Sequence, residues 1–327
     1  MSKFLDDNYE IIFPKFSNSE LVDDIIAFKY GKSRLSKILT HYFKEEIFKC
    51  RGNRGKLTPM EALQDEEVLK EIFSIIEKSP QFYAGNDVAN VESFFRNAGR
   101  IATKVANFDP INVHKILLRL GAGKEENKVV LDTSAGFGAR MCATLLGGDT
   151  YIGIDPNKSL QVKLNECFGF LKKNRVLNKG VECKLYCQGS ETFIPELENT
   201  VDVMFTSPPY FDLEIYSNDG CASSSNIKDY DQWLSQFVRP TLENVYRYLK
   251  VGGVAAINIK NLTRGGYQPL FNDFYKTFKS IDGYKIADAF EIKHQSKKAL
   301  KNTNYDIDKY TGFKEPVMVF KKVATGV

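Results

Sequence analysis

A glycine-rich turn follows an apolar run near the middle of the chain, in the segment VVLDTSAGFGARM at residues 129–141. Gly136 and Gly138 carry no Cβ atom, so the backbone of this turn can approach a bound ligand closely. A helix that starts directly after the turn would offer its free N–H groups. The turn could be structural or serve NAD, but the third glycine of the pyrophosphate-binding pattern GxGxxG is absent. The pattern therefore favours a cofactor without a pyrophosphate, held by Ser134, Ala135, Gly136, Phe137 and Gly138.

A carboxylate, Asp155, stands at the end of the next apolar run, in the segment YIGIDPN. A carboxylate at the tip of the second strand accepts hydrogen bonds from both ribose hydroxyls of an adenosine. Together, the glycine turn and Asp155 predict a site for an adenosyl group. An alternative stays open, in which Asp155 only caps the helix that begins near Lys158.

The fourth apolar run ends in the most specific motif of the chain, VDVMFTSPPYF, in which Ser207 to Phe211 follow the run. A Pro-Pro turn with an aromatic residue can also be a plain loop. Its place after the fourth run, downstream of the glycine turn and Asp155, favours a functional role. The motif resembles the signature of the amino-methyltransferases of DNA, which have Asp, Asn or Ser, then Pro-Pro, then Tyr, Phe or Trp at the end of strand four.

The resemblance implies methyl transfer to an exocyclic amino group of a nucleic-acid base, with Ser207 slightly favouring cytosine N4 over adenine N6. An aromatic amine is a poor nucleophile because its lone pair is delocalised, so acceptors must draw on its N–H bonds. Ser207 Oγ and the carbonyl of Pro208 are the predicted acceptors, and Pro208 and Pro209 hold that carbonyl outward. Tyr210 offers a flat face to an extruded base. Direct in-line transfer from a sulfonium needs no covalent enzyme intermediate and no metal.

S-adenosylmethionine is the cofactor that this resemblance implies. Asp132, at the end of strand one, is expected near the methionine amino group, and Ser190 or Glu191 near the adenine ring. In amino-methyltransferases, a segment before strand one closes over the methionine end of the cofactor, and Lys104, Asn107, Phe108 and Pro110 look like it. The alternative is that Phe108 is a core residue and that Asp109-Pro110 begins a helix.

Residues 96–322 also resemble phage-type DNA methyltransferases through a series of motifs. The matching residues are Phe108, Asp109, Pro110, Ser134 to Gly138, Arg140, Asp155, Pro156, Asn157, Ser207 to Phe211, Glu214, Tyr216 and Ser217. This resemblance adds Pro156 to the predicted cofactor site. It implies a cofactor and a target chemistry but no recognition sequence.

Seven apolar runs predict the strands that must position these residues, at 129–133, 150–154, 181–186, 201–206, 253–259, 285–292 and 316–321. Helical patterns lie at 138–147, 158–174, 191–198, 230–249 and 267–280. This alternation predicts an α/β fold with a mostly parallel sheet covered by helices on both faces. The final two strands have no helical pattern between them, an order that resembles class I methyltransferases. Residues 1–95 are predicted to form a helical accessory segment, and residues 96–327 the methyltransferase domain.

Three segments are candidates for contacts with DNA, the expected substrate. They contribute Phe211 and Tyr216 after strand four, Lys297, Lys298 and Lys301 between strands six and seven, and Arg51 and Arg54 in a basic loop. For each set, an ordinary solvated charged surface is the alternative.

The composition sets wide limits on function. The formal net charge of +4 permits a polyanionic partner without requiring one. The six cysteines form no CxxC pair and the three histidines lie far apart, so we expect reduced thiols and no metal. The start lacks the order of a secretory signal and no run is long enough to cross a membrane, which predicts a cytoplasmic protein. Methylation of RNA or of a protein glutamine, and an idle fold that binds nucleic acid, stay open as alternatives.

Overall fold

A seven-stranded sheet lies at the centre of the computed structural model, which describes residues 2–52, 55–97, 101–124, 126–211, 227, 229–261, 268–292 and 315–324. The strands are β1 (Val129–Asp132), β2 (Thr150–Ile154), β3 (Cys183–Tyr186), β4 (Val201–Thr206), β5 (Leu249–Asn258), β6 (Tyr284–Glu291) and β7 (Pro316–Lys322). Their order is β3-β2-β1-β4-β5-β7-β6. Strand β7 is antiparallel to both its neighbours, and the other pairs are parallel. The predicted class I methyltransferase-like sheet is confirmed.

Helices precede the sheet and alternate with its strands. Before β1 lie α1 (Lys3–Ile12), α2 (Asn18–Lys29), α3 (Ser36–Phe48), α4 (Pro59–Gln64), α5 (Glu66–Glu77), α6 (Asp87–Asn97) and α7 (Pro110–Leu120). Between the strands lie α8 (Ala139–Leu146), α9 (Lys158–Lys173), α10 (Tyr230–Trp233), α11 (Arg239–Tyr248) and α12 (Leu270–Ser280). A π-helical turn, Leu234–Val238, joins α10 to α11. Pro240 has no N–H to donate to the carbonyl one α-helical turn earlier, which is consistent with this wider turn.

The helix predicted at 191–198 is wrong. Only a short 3₁₀ turn forms there, Pro195–Leu197. The Asn244 side chain donates to the carbonyls of Ser190 and Glu191, at 3.1 and 2.9 Å, and these carbonyls would otherwise begin a helix. Pro195 also has no N–H to donate to the Glu191 carbonyl, as an α-helix over 191–198 would require. A proline within the segment and a tertiary contact therefore both oppose a helix here.

The two faces of the sheet bury separate apolar cores because successive side chains of a strand point to opposite faces. Val130 faces one core, together with residues of α7, α8 and α9, and Leu131 faces the other, together with residues of α11 and α12. The same alternation holds in β7, where Val317 and Met318 lie in different cores. Both faces are thus covered, as the alternating pattern predicts.

The helices before β1 divide between two packing environments. Residues of α2 and α3, including Ile25 and Phe43, belong to the same core as α8 and α9. Residues of α1, α4, α5 and α6 form a third apolar cluster around Phe95. The division of the chain at residue 95 stays a prediction, although α2 and α3 share a core with the sheet.

Candidate active site

The loop between β1 and α8, residues 133–138, is called the cofactor loop below. Gly136 and Gly138 both adopt left-handed conformations, with φ 57° and 73°, which side chains with a Cβ rarely adopt. The loop is tied down at two carbonyls, because Arg140 Nη2 donates to that of Ser134 and Asn107 Nδ2 donates to that of Phe137 at 2.9 Å. Its shape is therefore fixed by the chain itself.

Asp155 lies beside the cofactor loop, immediately after β2. Its Oδ2 accepts a hydrogen bond from the Gly136 N–H at 3.1 Å, and its Oδ1 accepts from the Asn157 N–H at 3.0 Å. The cap of α9 is Asn157, whose side chain accepts from the Leu160 N–H, so the helix does not use Asp155 as its cap. Burial raises the pKa of Asp155. The carboxylate and the glycine loop thus meet, as the adenosyl site requires.

The Asp132 side chain is buried and hydrogen-bonds residues of several elements. Its side chain is 1% exposed, and it accepts from Arg140 Nε at 2.6 Å, the Tyr151 hydroxyl at 3.0 Å and the Thr206 hydroxyl at 2.8 Å. The guanidinium compensates its charge inside the protein. In the structure, Asp132 links the end of β1 to β2, β4 and α8 through these hydrogen bonds. Its contact with the methionine amino group stays a prediction.

The SPPY motif begins where β4 ends, next to the end of β1. Thr133, Thr206 and Pro208 line one small cavity, whose other wall comes from the π-helical turn, α11 and α12. Ser207 is half-buried, and the Tyr210 hydroxyl accepts from the Lys260 N–H at 3.2 Å, which fixes the ring against the end of β5. Because β1 separates β2 from β4, the motif, the cofactor loop and Asp155 share one edge of the sheet.

The segment after β3 separates the two residues expected near an adenine ring. Ser190 is 3% exposed, and its hydroxyl hydrogen-bonds that of Thr241 at 3.0 Å, so it faces α11. Glu191 Oε2, by contrast, is buried and has no hydrogen-bond partner among the described residues. An unused carboxylate oxygen is the acceptor that an adenine amino group needs. Glu191 therefore fits this role better than Ser190.

The segment before α7 lies against the cofactor loop, as the resemblance implies. Besides the Asn107 hydrogen bond, the Phe108 ring packs edge-on against Phe205 at 5.7 Å and lies 5.6 Å from the Arg140 guanidinium. The alternative prediction is confirmed, because Phe108 packs against the core, Asp109 caps α7 and Pro110 opens it. Closure of this segment over the methionine end of the cofactor stays a prediction. Burial lowers the pKa of Lys104, next to the cations of Arg96 and Lys44.

The predicted DNA contacts are only partly covered by the structure. Phe211 is 9% exposed and packs against Tyr230 and Trp233, and its contact with DNA stays a prediction. Arg51 is partly exposed. Tyr216, Arg54, Lys297, Lys298 and Lys301 lie outside the described residues.

The comparisons with known proteins bear on the C-terminal part of the chain. Residues 201–325, which begin with β4 and the SPPY motif, match a family model described as DNA methylase. The resemblance to DNA amino-methyltransferases is confirmed over this region. A search of curated proteins finds no match.

Solved methyltransferase structures are similar to this chain at low identity. A tRNA methyltransferase of Aquifex aeolicus is 15% identical, with a TM-score of 0.40, over 68% of this chain and 72% of that one. An O-methyltransferase of Thermotoga maritima is 12% identical, with a TM-score of 0.41, over 68% and 69%. An rRNA methylase of Streptococcus thermophilus is 13% identical, with a TM-score of 0.38, over 67% and 100%.

The DNA methylase match and the order of the sheet imply S-adenosylmethionine as the cofactor of this chain. The residues present fit it: two glycines leave room for close approach, Asp155 can accept from a ribose, and Glu191 has a free acceptor. Within the described ranges, no group of three or more metal-ligating side chains occurs. No described helix is long and apolar enough to cross a membrane.

Proposed function

We propose that this methyltransferase methylates an exocyclic amino group of a DNA base, with cytosine N4 slightly favoured over adenine N6. One observation carries the proposal: the SPPY motif and the cofactor loop meet at the ends of adjacent strands. Thr206, which precedes the motif, hydrogen-bonds Asp132, which precedes the loop, at 2.8 Å. DNA as the substrate is supported by the family match over residues 201–325.

The cofactor site is assigned to the cofactor loop with Asp155, Pro156 and Glu191. Bound S-adenosylmethionine supplies a methyl group on a positively charged sulfur, and the chain must hold it against a base. Asp155 accepts from the ribose, and Glu191 accepts from the adenine amino group. Lys104, Asn107 and Phe108 close the loop from the side of α7.

The target amine is held by the first two residues of the motif. Ser207 Oγ and the carbonyl of Pro208 accept the two N–H bonds of the amine, which directs its lone pair toward the methyl group. Pro209 restricts the backbone there, so the carbonyl stays in place while the base enters. Tyr210, fixed by the Lys260 N–H, stacks on a base turned out of the helix. Proximity and alignment then supply most of the rate enhancement.

The test is label transfer followed by nucleoside analysis. The full chain is incubated with methyl-labelled S-adenosylmethionine and unmethylated duplex DNA, and the DNA is then digested to nucleosides. We expect label in N4-methylcytosine or N6-methyladenine. N4-methylcytosine is the favoured product because Ser207 stands at the first position of the motif. A parallel incubation with tRNA separates the RNA alternative, because label in tRNA and none in DNA would overturn the choice of substrate.

A further inference from the structure

We propose that Phe43, on α3 of the N-terminal segment, positions the cofactor loop and so controls cofactor affinity. This inference rests on the proposed function, because it takes the loop to be the binding site for S-adenosylmethionine. It gives a helix outside the predicted methyltransferase domain a direct part in that site.

The ring of Phe43 occupies the space beside Gly138 where any other residue would place its Cβ. A Cβ built on Gly138 would lie 2.3 Å from Cε2 and 2.4 Å from Cζ of Phe43, well inside contact distance. Phe43 itself is 0% exposed and shares a core with Ala135, Phe137 and Met141. The left-handed turn at Gly138 therefore packs against α3, a helix distant in sequence.

Helix α3 is itself hydrogen-bonded to α9, the helix that follows Asp155. Ser159, in the first turn of α9, donates to Glu46 Oε2 at 2.9 Å. Farther along, α2 and the end of α9 are joined by the Asn18–Asn174 side-chain hydrogen bond at 3.1 Å. The N-terminal segment thus contacts both the cofactor loop and α9, the helix that follows Asp155.

Phe43 contacts a part of the cofactor loop that the hydrogen bonds from Asn107 and Arg140 do not hold. Asn107 and Arg140 hold the carbonyls of Phe137 and Ser134, but Phe43 bears on the α-carbon of Gly138. A smaller side chain leaves a void into which the loop can relax. Such a shift weakens cofactor binding while leaving Ser207 and Pro208 in place.

Phe48 provides a matched control on the same helix. It is 1% exposed, and its ring packs against Phe13 at 5.2 Å and Phe95 at 5.9 Å, in the third apolar cluster rather than against the loop. Phe43→Leu and Phe48→Leu remove similar apolar volume from equally buried sites. Both should lower the thermal unfolding midpoint, so stability alone does not distinguish them.

The experiment is calorimetric titration of the full-length wild type and both variants with S-adenosylhomocysteine, followed by kcat and KM for the cofactor. Phe43→Leu should weaken binding about tenfold and raise KM with little change in kcat, whereas Phe48→Leu should stay within about twofold of wild type. Equal affinity in the two variants would overturn the proposal. No binding to wild type would instead reject the proposed function. If Phe43→Leu does not fold, Phe43→Met, closer in volume, replaces it under the same criteria.

Discussion

Asp132 is the last residue of β1, and Asp155 directly follows the neighbouring strand β2. The two carboxylates have different surroundings. Asp132 is enclosed by Arg140, Tyr151 and Thr206, whereas Asp155 receives two backbone N–H groups beside the cofactor loop. The strand pattern predicted both positions. It could not show that Asp132 is enclosed, because its partners come from three different elements.

At the residue scale, cofactor affinity should depend on the charge of Asp155. Burial raises the pKa of Asp155. The carboxylate, the form that accepts from the ribose, is therefore fully populated only at pH values above that raised pKa. Affinity should be full at high pH and fall as the pH drops through the raised pKa, above the usual range near ~3.9 for aspartate. Titrations with S-adenosylhomocysteine across pH measure this.

The matched variant is Asp155→Asn, which keeps the shape of the side chain and removes its charge. Loss of charge-assisted hydrogen bonds should weaken binding roughly 10- to 100-fold and flatten the pH dependence. Unchanged affinity in this variant would show that Asp155 does not hold the ribose.

At the scale of elements, the strands were predictable because buried parallel strands are nearly continuous apolar runs. All seven strands overlap their predicted runs, and β5 differs mainly in starting at Leu249. The helix predicted after β3 fails partly because of Pro195, which the sequence shows, and partly because of a contact with Asn244 in a distant helix. The packing of α3 could not be predicted either, since helical periodicity shows which face is apolar but not what it contacts.

Two glycines give a direct test of the loop conformation. Gly138→Ala introduces a Cβ at φ 73° and against Phe43, so it should lower stability by about 1–3 kcal/mol. Gly169→Ala, in α9 with nothing within 4 Å of the new Cβ, should raise stability by about 0.5–1 kcal/mol. Denaturant unfolding measures both, and a Gly138→Ala protein as stable as Gly169→Ala would contradict the described loop.

At the scale of the whole molecule, the site is built by the order of the sheet. Strands β2, β1 and β4 are adjacent, so Asp155, the cofactor loop and Ser207 reach one edge although they are far apart in sequence. The N-terminal helices complete this arrangement from one face. The sequence motifs predicted which residues meet. The structure adds the contacts that hold the cofactor loop, from Asn107, Arg140 and Phe43.

We expect Ser207 and Tyr210 to act on the target base after the cofactor is bound. Single-turnover methyl transfer at saturating S-adenosylmethionine, with cofactor affinity measured in parallel, tests it most directly. Ser207→Ala and Tyr210→Ala should each slow transfer by about 10²-fold or more, with cofactor affinity within about threefold of wild type. Wild-type transfer rates in either variant would show that the altered residue does not act on the base.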